Sequence, residues 1–225
     1  MRYLIVPLMT ENENSIEFSY SDSFINCVNA IRNINTTSFD KIFFVINRNV
    51  DNKLNLQLKI MADVSRINIS NVEVVSFPFS TVSLAETVYK TLYYIKNKEG
   101  VDDFSFFIKD GDNSINMDNV PDGNYVTSMS LETMSLVEPS RKSYINTDEY
   151  NFITNIIEKR VVSDKFVAGG YSFEHATDFI KAYNSIKEDT DEPFHISDII
   201  YWLILFMNVR FTPVNIDLFK DFNIA

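Results

Sequence analysis

Glycine is scarce in this 225-residue sequence, occurring only five times and nowhere in the first 99 residues. A P-loop needs glycine where the backbone approaches phosphate or takes a positive φ, and so does a dinucleotide fingerprint on the first strand. The N-terminal half therefore contains neither of these two nucleotide-binding motifs.

Cysteine, histidine and long apolar runs are also in short supply. Cys27 is the single cysteine, which excludes an internal disulfide and any CxxC metal or redox pair. His175 and His195 are 20 positions apart and cannot form an HExxH zinc site. The longest apolar run, residues 199–207, is too short for a membrane span, and the N-terminus does not resemble a signal peptide. We expect a cytoplasmic protein in a reducing compartment.

Basic residues are outnumbered, with 20 Lys and Arg against 31 Asp and Glu, for a formal net charge of −11. This balance argues against nucleic-acid binding, which needs a basic face to replace phosphate counterions. Aromatic residues make up 14% of the chain, far too many for a disordered protein. A chain of this length buries roughly 70% of the surface it exposes when unfolded, so we predict one domain spanning residues 1–225.

Short apolar runs alternate with helical patterns over the first 120 residues. The apolar runs predict strands at residues 3–6, 42–46, 72–77 and 104–108, and the helical spacing predicts helices near residues 24–34 and 83–96. Alternation of this kind indicates an α/β fold with a mostly parallel central sheet and helices on both of its faces.

Beyond residue 120 the pattern changes to one dominated by strands, which predicts a mixed sheet. Residues 1–120 are interpreted as a nucleotide-binding half and residues 121–225 as an acceptor-binding half. Met129 and Met134 are interpreted as core residues. Strands are predicted at residues 123–131, 143–147, 152–158, 166–173 and 209–214, and helices at residues 174–186 and 196–207.

The most informative local motif is Asp110-Gly111-Asp112, which follows the fourth predicted strand. Side chains at i and i+2 of an extended segment face the same way, so the two carboxylates are presented together. Ligands of open α/β sheets bind at the carboxyl ends of strands, and Mg²⁺ or Mn²⁺ is typically held there by one or two carboxylates plus substrate phosphates. The motif predicts a divalent metal site, with an Asp-Gly turn of solvated side chains as the alternative.

Seven short segments in a fixed order resemble the sugar-1-phosphate nucleotidyltransferases, and together they extend over nearly the whole chain. They are Ile5-Val6-Pro7, Ala85-Glu86-Thr87-Val88, Ile108-Lys109-Asp110-Gly111-Asp112, Ile157-Glu158-Lys159, Val161-Val162-Ser163-Asp164, Gly169-Gly170-Tyr171-Ser172-Phe173 and Ile196-Ser197-Asp198. The resemblance implies transfer of a nucleotidyl group from a nucleoside triphosphate to a phosphorylated sugar or small alcohol for cell-surface polysaccharide synthesis, with Mg²⁺ or Mn²⁺.

The resemblance also implies a role for individual residues. The implied metal ligands are Asp110, Asp112 and, from the tail, Asp221. Glu158, Gly169 and Gly170 would contact the acceptor, and Lys159 would approach a phosphate as the catalytic cation. The implied nucleotide-binding residues are Pro7, Leu8, Ser83, Ala85, Glu86, Lys109 and Asp110.

One segment departs from the family, in which a Gly-rich loop with an Arg and a Lys follows the first strand. Residues 9–18 contain no glycine, carry Glu11, Glu13 and Glu17, and belong to a stretch without Lys or Arg between Arg2 and Arg32. Fixed cations and backbone N–H groups stabilise the charge of phosphoryl transfer, so activity does not follow from the resemblance. Two alternative functions stay open. One is a non-catalytic relative that binds a nucleotide, and the other is a glycosyltransferase that uses Asp110-Gly111-Asp112 to bind a sugar nucleotide. Assembly into a homo-oligomer also stays open.

Overall fold

The computed structural model describes residues 1–133 and 138–223. Six α-helices lie in these ranges: α1 (Asn26–Asn29), α2 (Arg48–Leu54), α3 (Leu56–Arg66), α4 (Leu84–Glu99), α5 (Ala176–Asp189) and α6 (Ile196–Met207). The strands of the same ranges are β1 (Arg2–Leu8), β2 (Tyr20–Ser21), β3 (Phe24–Ile25), β4 (Lys41–Asn47), β5 (Val72–Phe77), β6 (Ser105–Lys109), β7 (Asn113–Ile115), β8 (Tyr125–Ser130), β9 (Ser143–Thr147), β10 (Ile153–Glu158), β11 (Lys165–Phe173), β12 (Thr212–Asn215) and β13 (Phe219–Asp221). No helix in the described part of the chain is long and apolar enough to cross a membrane.

The central sheet has the strand order β10-β9-β11-β6-β1-β4-β5, and β8 joins it through β11. The four strands β5, β4, β1 and β6 are mutually parallel. β11 runs antiparallel to β6, β8 and β9, while β12 lies parallel to β8. The predicted α/β fold is confirmed, with its mostly parallel first half and its mixed second half.

Each face of the sheet carries its own hydrophobic core, because successive side chains of a strand point to opposite faces. Tyr3 and Ile5 of β1 pack into the core that α4, α5 and α6 cover, whereas Leu4 and Val6 pack into the core beneath α1 and α3. Burial on both faces explains why β1, β4 and β6 are almost continuously apolar in sequence.

Helices α4 and α6 begin with side-chain caps that the local sequence supplies. The Ser83 hydroxyl accepts a hydrogen bond from the N–H of Glu86 at 3.2 Å, and the Glu86 carboxylate accepts one from the N–H of Val82 at 2.9 Å. At α6, the N–H of His195 donates to Oδ2 of Asp198 at 2.7 Å. Such reciprocal caps satisfy orphan N–H groups and determine where each helix starts.

Two segments differ from the sequence-based predictions. The helix predicted near residues 24–34 is reduced to the single turn α1, because the β2–β3 hairpin precedes it with positive φ at Asp22 and Ser23. Helices α2 and α3 were not predicted; a left-handed Asn55 with φ of 52° separates them. Met129 packs against the core beneath α1 and α3, and Met134 lies outside the described residues.

Candidate functional site

A cavity of about 260 Å³ opens where the chain reverses its direction across the sheet. From β1 the chain moves outward through β4 and β5, then returns to place β6 on the opposite side of β1. Ligands of open α/β sheets bind at such a reversal, outside the carboxyl ends of the strands. The cavity is lined by Pro7, Glu17, Leu84, Asp110, Gly111, Asp112, Asn113, Arg141, Lys142, Ser143, Glu158, Val167, Gly169, Tyr171, His195, Ile196 and Ser197.

Asp110, the first residue after β6, contributes a half-buried carboxylate to this cavity. Its main-chain N–H donates to the carbonyl of Gly169 at 2.9 Å. Its Oδ1 atom is buried and has no hydrogen-bond partner among the described residues. Burial, together with the nearby charge of Asp112, raises the pKa of Asp110 to about 7. A buried carboxylate oxygen without a donor is costly and favours a proton or a cation from outside the chain.

Lys109 lies beneath the same turn and is completely buried. Its Nζ donates to the carbonyls of Asp110 and Asn113 at 2.8 and 2.9 Å, and to Oδ1 of Asn113 at 2.7 Å. Burial lowers the pKa of Lys109 to about 8. All three donors of the ammonium are therefore used within the protein, where they hold the Asp110–Asn113 turn in shape.

The tail brings Asp221 to the same place, because β13 pairs antiparallel with β7. Nδ2 of Asn223 donates to Oδ2 of Asp112 at 3.1 Å and to Oδ1 of Asp221 at 3.0 Å. Lys142 forms an ion pair with Oδ2 of Asp221 at 2.5 Å. Burial alone would raise the pKa of Asp221, but the hydrogen bonds from Lys142 and Asn223 lower it. Asn223 thus bridges Asp112 and Asp221, two of the three carboxylates predicted as metal ligands, although the described residues hold no group of three or more His, Cys, Asp or Glu arranged to bind a metal ion.

Of the three residues predicted to bind the acceptor, two line the cavity and one does not. Glu158 and Gly169 line the cavity, and the hydroxyls of Ser143 and Ser197 donate to Oε2 of Glu158. Gly170 faces the protein interior, since a Cβ there would lie 2.7 Å from the Phe107 ring and from Oγ1 of Thr127.

Lys159, the predicted catalytic cation, is exposed and lies outside the cavity wall. Its φ of 55° and the hydrogen bond from its N–H to the carbonyl of Lys142 belong to the end of the β9–β10 hairpin. The Lys159 side chain therefore lies in solvent at the end of the hairpin, near the cavity.

The predicted nucleotide-binding residues lie along β1 and at the start of α4. Pro7 lines the cavity, and Leu8 is buried with its Cδ2 2.5 Å from where a Cβ of Gly111 would be. Ser83 and Glu86 serve as the α4 cap described above, and Ala85 is fully buried. Leu84, between them, is the residue of this segment that lines the cavity.

Comparison with solved structures shows what this fold is similar to, whereas no protein-family model and no curated protein sequence matches the chain. The nucleoside-diphosphate-sugar pyrophosphorylase from Vibrio cholerae RC9 superposes with a TM-score of 0.72 over 96% of this chain and 92% of that one, at 14% identity. The inositol-1-phosphate CTP transferase from T. maritima gives a TM-score of 0.69 over 98% and 89%, at 15% identity. The chain has the sugar-phosphate nucleotidyltransferase fold.

Within this nucleotidyltransferase fold, the cavity contains cations that the sequence analysis missed. Arg141 and Lys142 line it from the start of β9, and Arg141 also pairs with Glu138 at 3.3 Å. The available signal was an adjacent basic pair in an acidic chain, directly before a predicted strand. His195 and Ser197, to which the sequence assigned no individual role, place the first turn of α6 against the cavity.

The acidic segment after β1 forms part of the wall of this nucleotidyltransferase-fold cavity. Glu13 forms an ion pair with Lys53, and Glu11 accepts a hydrogen bond from the Ser80 hydroxyl. Glu17 instead lines the cavity, and its Cγ lies 3.1 Å from where a Cβ of Gly111 would be. One carboxylate of the segment therefore faces the cavity.

Proposed function

We propose that this protein binds a nucleotide in the cavity beside Asp110 and transfers a nucleotidyl group to a phosphorylated sugar or small alcohol. Pyrophosphate would be released, and the product would feed cell-surface polysaccharide synthesis in the cytoplasm. The observation that carries the proposal is the buried Oδ1 of Asp110 at the reversal point of the sheet, which has no hydrogen-bond donor within residues 1–133 and 138–223. The names of the two similar structures, a nucleoside-diphosphate-sugar pyrophosphorylase and an inositol-1-phosphate CTP transferase, support the same reaction class.

The positive charge that a phosphorylated ligand needs is available in the cavity wall. Arg141 and Lys142 line the cavity, and the first turn of α6, with His195 and Ser197, lines it too. Helix N-termini and fixed cations both favour phosphate groups. In this proposal they replace the Gly-rich loop that the sequence lacks after β1.

Asp110 is the residue that would hold Mg²⁺ or Mn²⁺, with Asp112 beside it, because a hard cation suits an oxygen that no donor in the described part of the chain satisfies. A bound divalent ion would neutralise charge on the phosphates. Glu158, held by two serine hydroxyls, and the neighbouring Gly169 would accept the hydroxyl groups of the acceptor. Lys159, at the hairpin end, would approach the acceptor phosphate.

A second candidate function, nucleotide binding without catalysis, is favoured by Glu17. Its carboxylate lines the cavity where the family has cations, and it would repel the phosphates of a triphosphate. In that case the protein would bind a nucleotide with few phosphates and turn nothing over.

Pyrophosphate release tests the proposal directly. The purified protein is incubated with each common nucleoside triphosphate, Mg²⁺ or Mn²⁺, and a panel of hexose 1-phosphates and phosphorylated small alcohols. We expect slow turnover with one pair, lost in Asp110→Asn and kept in Asp118→Asn, an exposed aspartate outside the cavity wall.

Other outcomes of the same panel separate the alternatives. A nucleotide-induced rise in melting temperature without turnover favours the non-catalytic candidate. Breakdown of a sugar nucleotide instead of pyrophosphate release supports a glycosyltransferase. If the panel gives no turnover and no nucleotide-dependent shift in melting temperature, the proposed function is contradicted.

A further inference from the structure

Lys142 is a cation of the cavity wall whose ammonium is paired with Asp221 of the tail. Its side chain is only 12% exposed and pairs with Asp221, which is 7% exposed, at 2.5 Å. The ammonium also lies 4.8 Å from the centre of the Phe219 ring. Shielding from water strengthens the Coulomb attraction within such a pair and leaves either charge costly to bury alone.

The oxygens of Asp221 and Asp112 already have partners from within the chain. Oδ1 of Asp221 accepts from the main-chain N–H and the Nδ2 of Asn223, and Lys142 occupies Oδ2. Oδ1 of Asp112 accepts from Nδ2 of Asn113 at 2.9 Å, and Oδ2 accepts from Asn223. Asp110, by contrast, has a buried oxygen, Oδ1, without a donor among the described residues.

The backbone of Lys142 is held on both sides, so its side chain is the part that can move. The Lys142 carbonyl accepts from the N–H of Lys159 at 2.9 Å, and the Lys142 N–H donates to the carbonyl of Pro139 at 3.4 Å. The next residue, Ser143, pairs with Glu158 in the β9–β10 hairpin. A rotation about the side-chain bonds would carry the ammonium from Asp221 into the cavity that Lys142 lines.

We propose that Lys142 is the resident cation of this site and occupies the position at Asp221 that a divalent ion would need. A divalent ion at Asp110 can recruit Asp221 only when the ammonium leaves, so metal binding and the Lys142–Asp221 ion pair compete. This inference rests on the proposed function for the identity of the ion. It predicts that the protein without nucleotide binds divalent ions weakly.

Mn²⁺ binding without nucleotide, followed by electron paramagnetic resonance and calorimetry, tests the competition. Lys142→Met keeps the length and the apolar stem of the side chain but removes its charge. We expect Lys142→Met to bind Mn²⁺ roughly tenfold or more tightly than the wild type. Lys159→Met, which removes an equal charge at the neighbouring exposed position, should stay within about twofold of the wild type.

Two further variants keep the test decisive. Lys142→Gln retains a donor for Asp221 and should also gain affinity, even if Lys142→Met leaves too little folded protein to measure. Adding Asp221→Asn to either Lys142 variant should cancel the gain. The inference is overturned if both Lys142 variants bind Mn²⁺ like the wild type, or if Lys159→Met gains as much as they do. Because no nucleotide or turnover enters the measurement, failure of the pyrophosphate assay would leave this result intact, and the reverse also holds.

Discussion

Gly169 and Asp110 meet so closely that a Cβ at Gly169 would lie 2.9 Å from Oδ2 of Asp110. Their backbones are joined as well, because the N–H of Asp110 donates to the carbonyl of Gly169 at 2.9 Å. Gly169 has a φ of 75° and sits in the irregular part of β11 between Val167 and Tyr171. The absence of a side chain there gives the Asp110 carboxylate room beside the cavity.

Gly169→Ala should therefore destabilise the protein and displace the carboxylate. The positive φ costs a non-glycine residue about 1–2 kcal/mol, and contacts with Asp110 and with Asn113, 2.5 Å from the new Cβ, add to that cost. We expect a loss of about 2–4 kcal/mol in the free energy of unfolding, measured with urea. The matched control is Gly100→Ala, since Gly100 has a φ of 66° and no atom within 4 Å of the position that a Cβ would take. Equal losses in both variants would contradict the close-approach argument.

Gly170→Ala should lower stability without lowering the ligand affinity of the folded protein. The added methyl group would meet the Phe107 ring and Thr127 in the interior, away from the cavity. Overpacking of this kind costs about 1–3 kcal/mol. Urea unfolding measures the loss, and a nucleotide titration at low temperature measures the affinity. A variant that is fully stable but cannot bind the acceptor would instead restore the acceptor-contact role expected from the sequence.

Glu17→Gln should strengthen nucleotide binding by roughly fivefold, because one repelling charge near a phosphate is worth about 1 kcal/mol in water. Glu17 lines the cavity, whereas the charge of Glu13 is balanced by Lys53. Glu13→Gln is the control and should change the dissociation constant little. Calorimetric titration with a nucleoside triphosphate distinguishes the two variants. An unchanged affinity in Glu17→Gln would mean that the phosphates bind away from residues 9–18.

Glu73 should make the free energy of unfolding depend on pH in the acidic range. Burial alone would raise its pKa, but hydrogen bonds from Lys98, Tyr94 and Lys41 lower the pKa of Glu73 to about 2. A depressed carboxyl pKa contributes stability that is present above the unfolded value near 4.5 and is lost as the pH falls towards 2.

The measurement is the free energy of unfolding of wild type and Glu73→Gln at pH 6 and at pH 3. We expect Glu73→Gln to cost about 2 kcal/mol at pH 6, and clearly less at pH 3 because the wild-type contribution is then partly lost. Glu149→Gln, at an exposed residue without an ion pair in the described part of the chain, should show no such pH-dependent difference. A constant difference at both pH values for Glu73→Gln would contradict the assignment.

Sequence patterns anticipated most of the strands and the helices α4, α5 and α6, because burial on one or two faces leaves a periodic signature. The β9 range, residues 143–147, and the α6 range, residues 196–207, were predicted to the residue. The prediction of a helix near residues 24–34 was wrong, because the apolar spacing of this segment also suits a hairpin followed by a single helical turn packed on the core. Helices α2 and α3 escaped prediction because a left-handed asparagine interrupts their pattern.

The candidate site was predicted only in part. Asp110, Asp112, Glu158 and Gly169 stand in short, unusual segments and do line the cavity. Arg141, Lys142 and Glu17 also line it. The adjacent basic pair before a predicted strand was a weak signal for Arg141 and Lys142, and Glu17 resembles any solvated surface charge in its immediate sequence. Gly170 and Lys109 stand next to cavity residues in the same sequence motifs. Because successive residues of a strand face opposite sides of the sheet, both of them face the interior instead.

By itself the sequence determined the class of fold, the absence of a glycine-rich phosphate loop near β1, and the carboxylate pair that follows β6. These properties are local: they depend on residue type, spacing and the period of burial. The tertiary structure alone decided that Lys142 neutralises Asp221 from 79 positions away and that Oδ1 of Asp110 is left without a donor among the described residues. Hydrogen-bond satisfaction and burial depend on which distant strands are paired, and that pairing is a property of the folded chain as a whole.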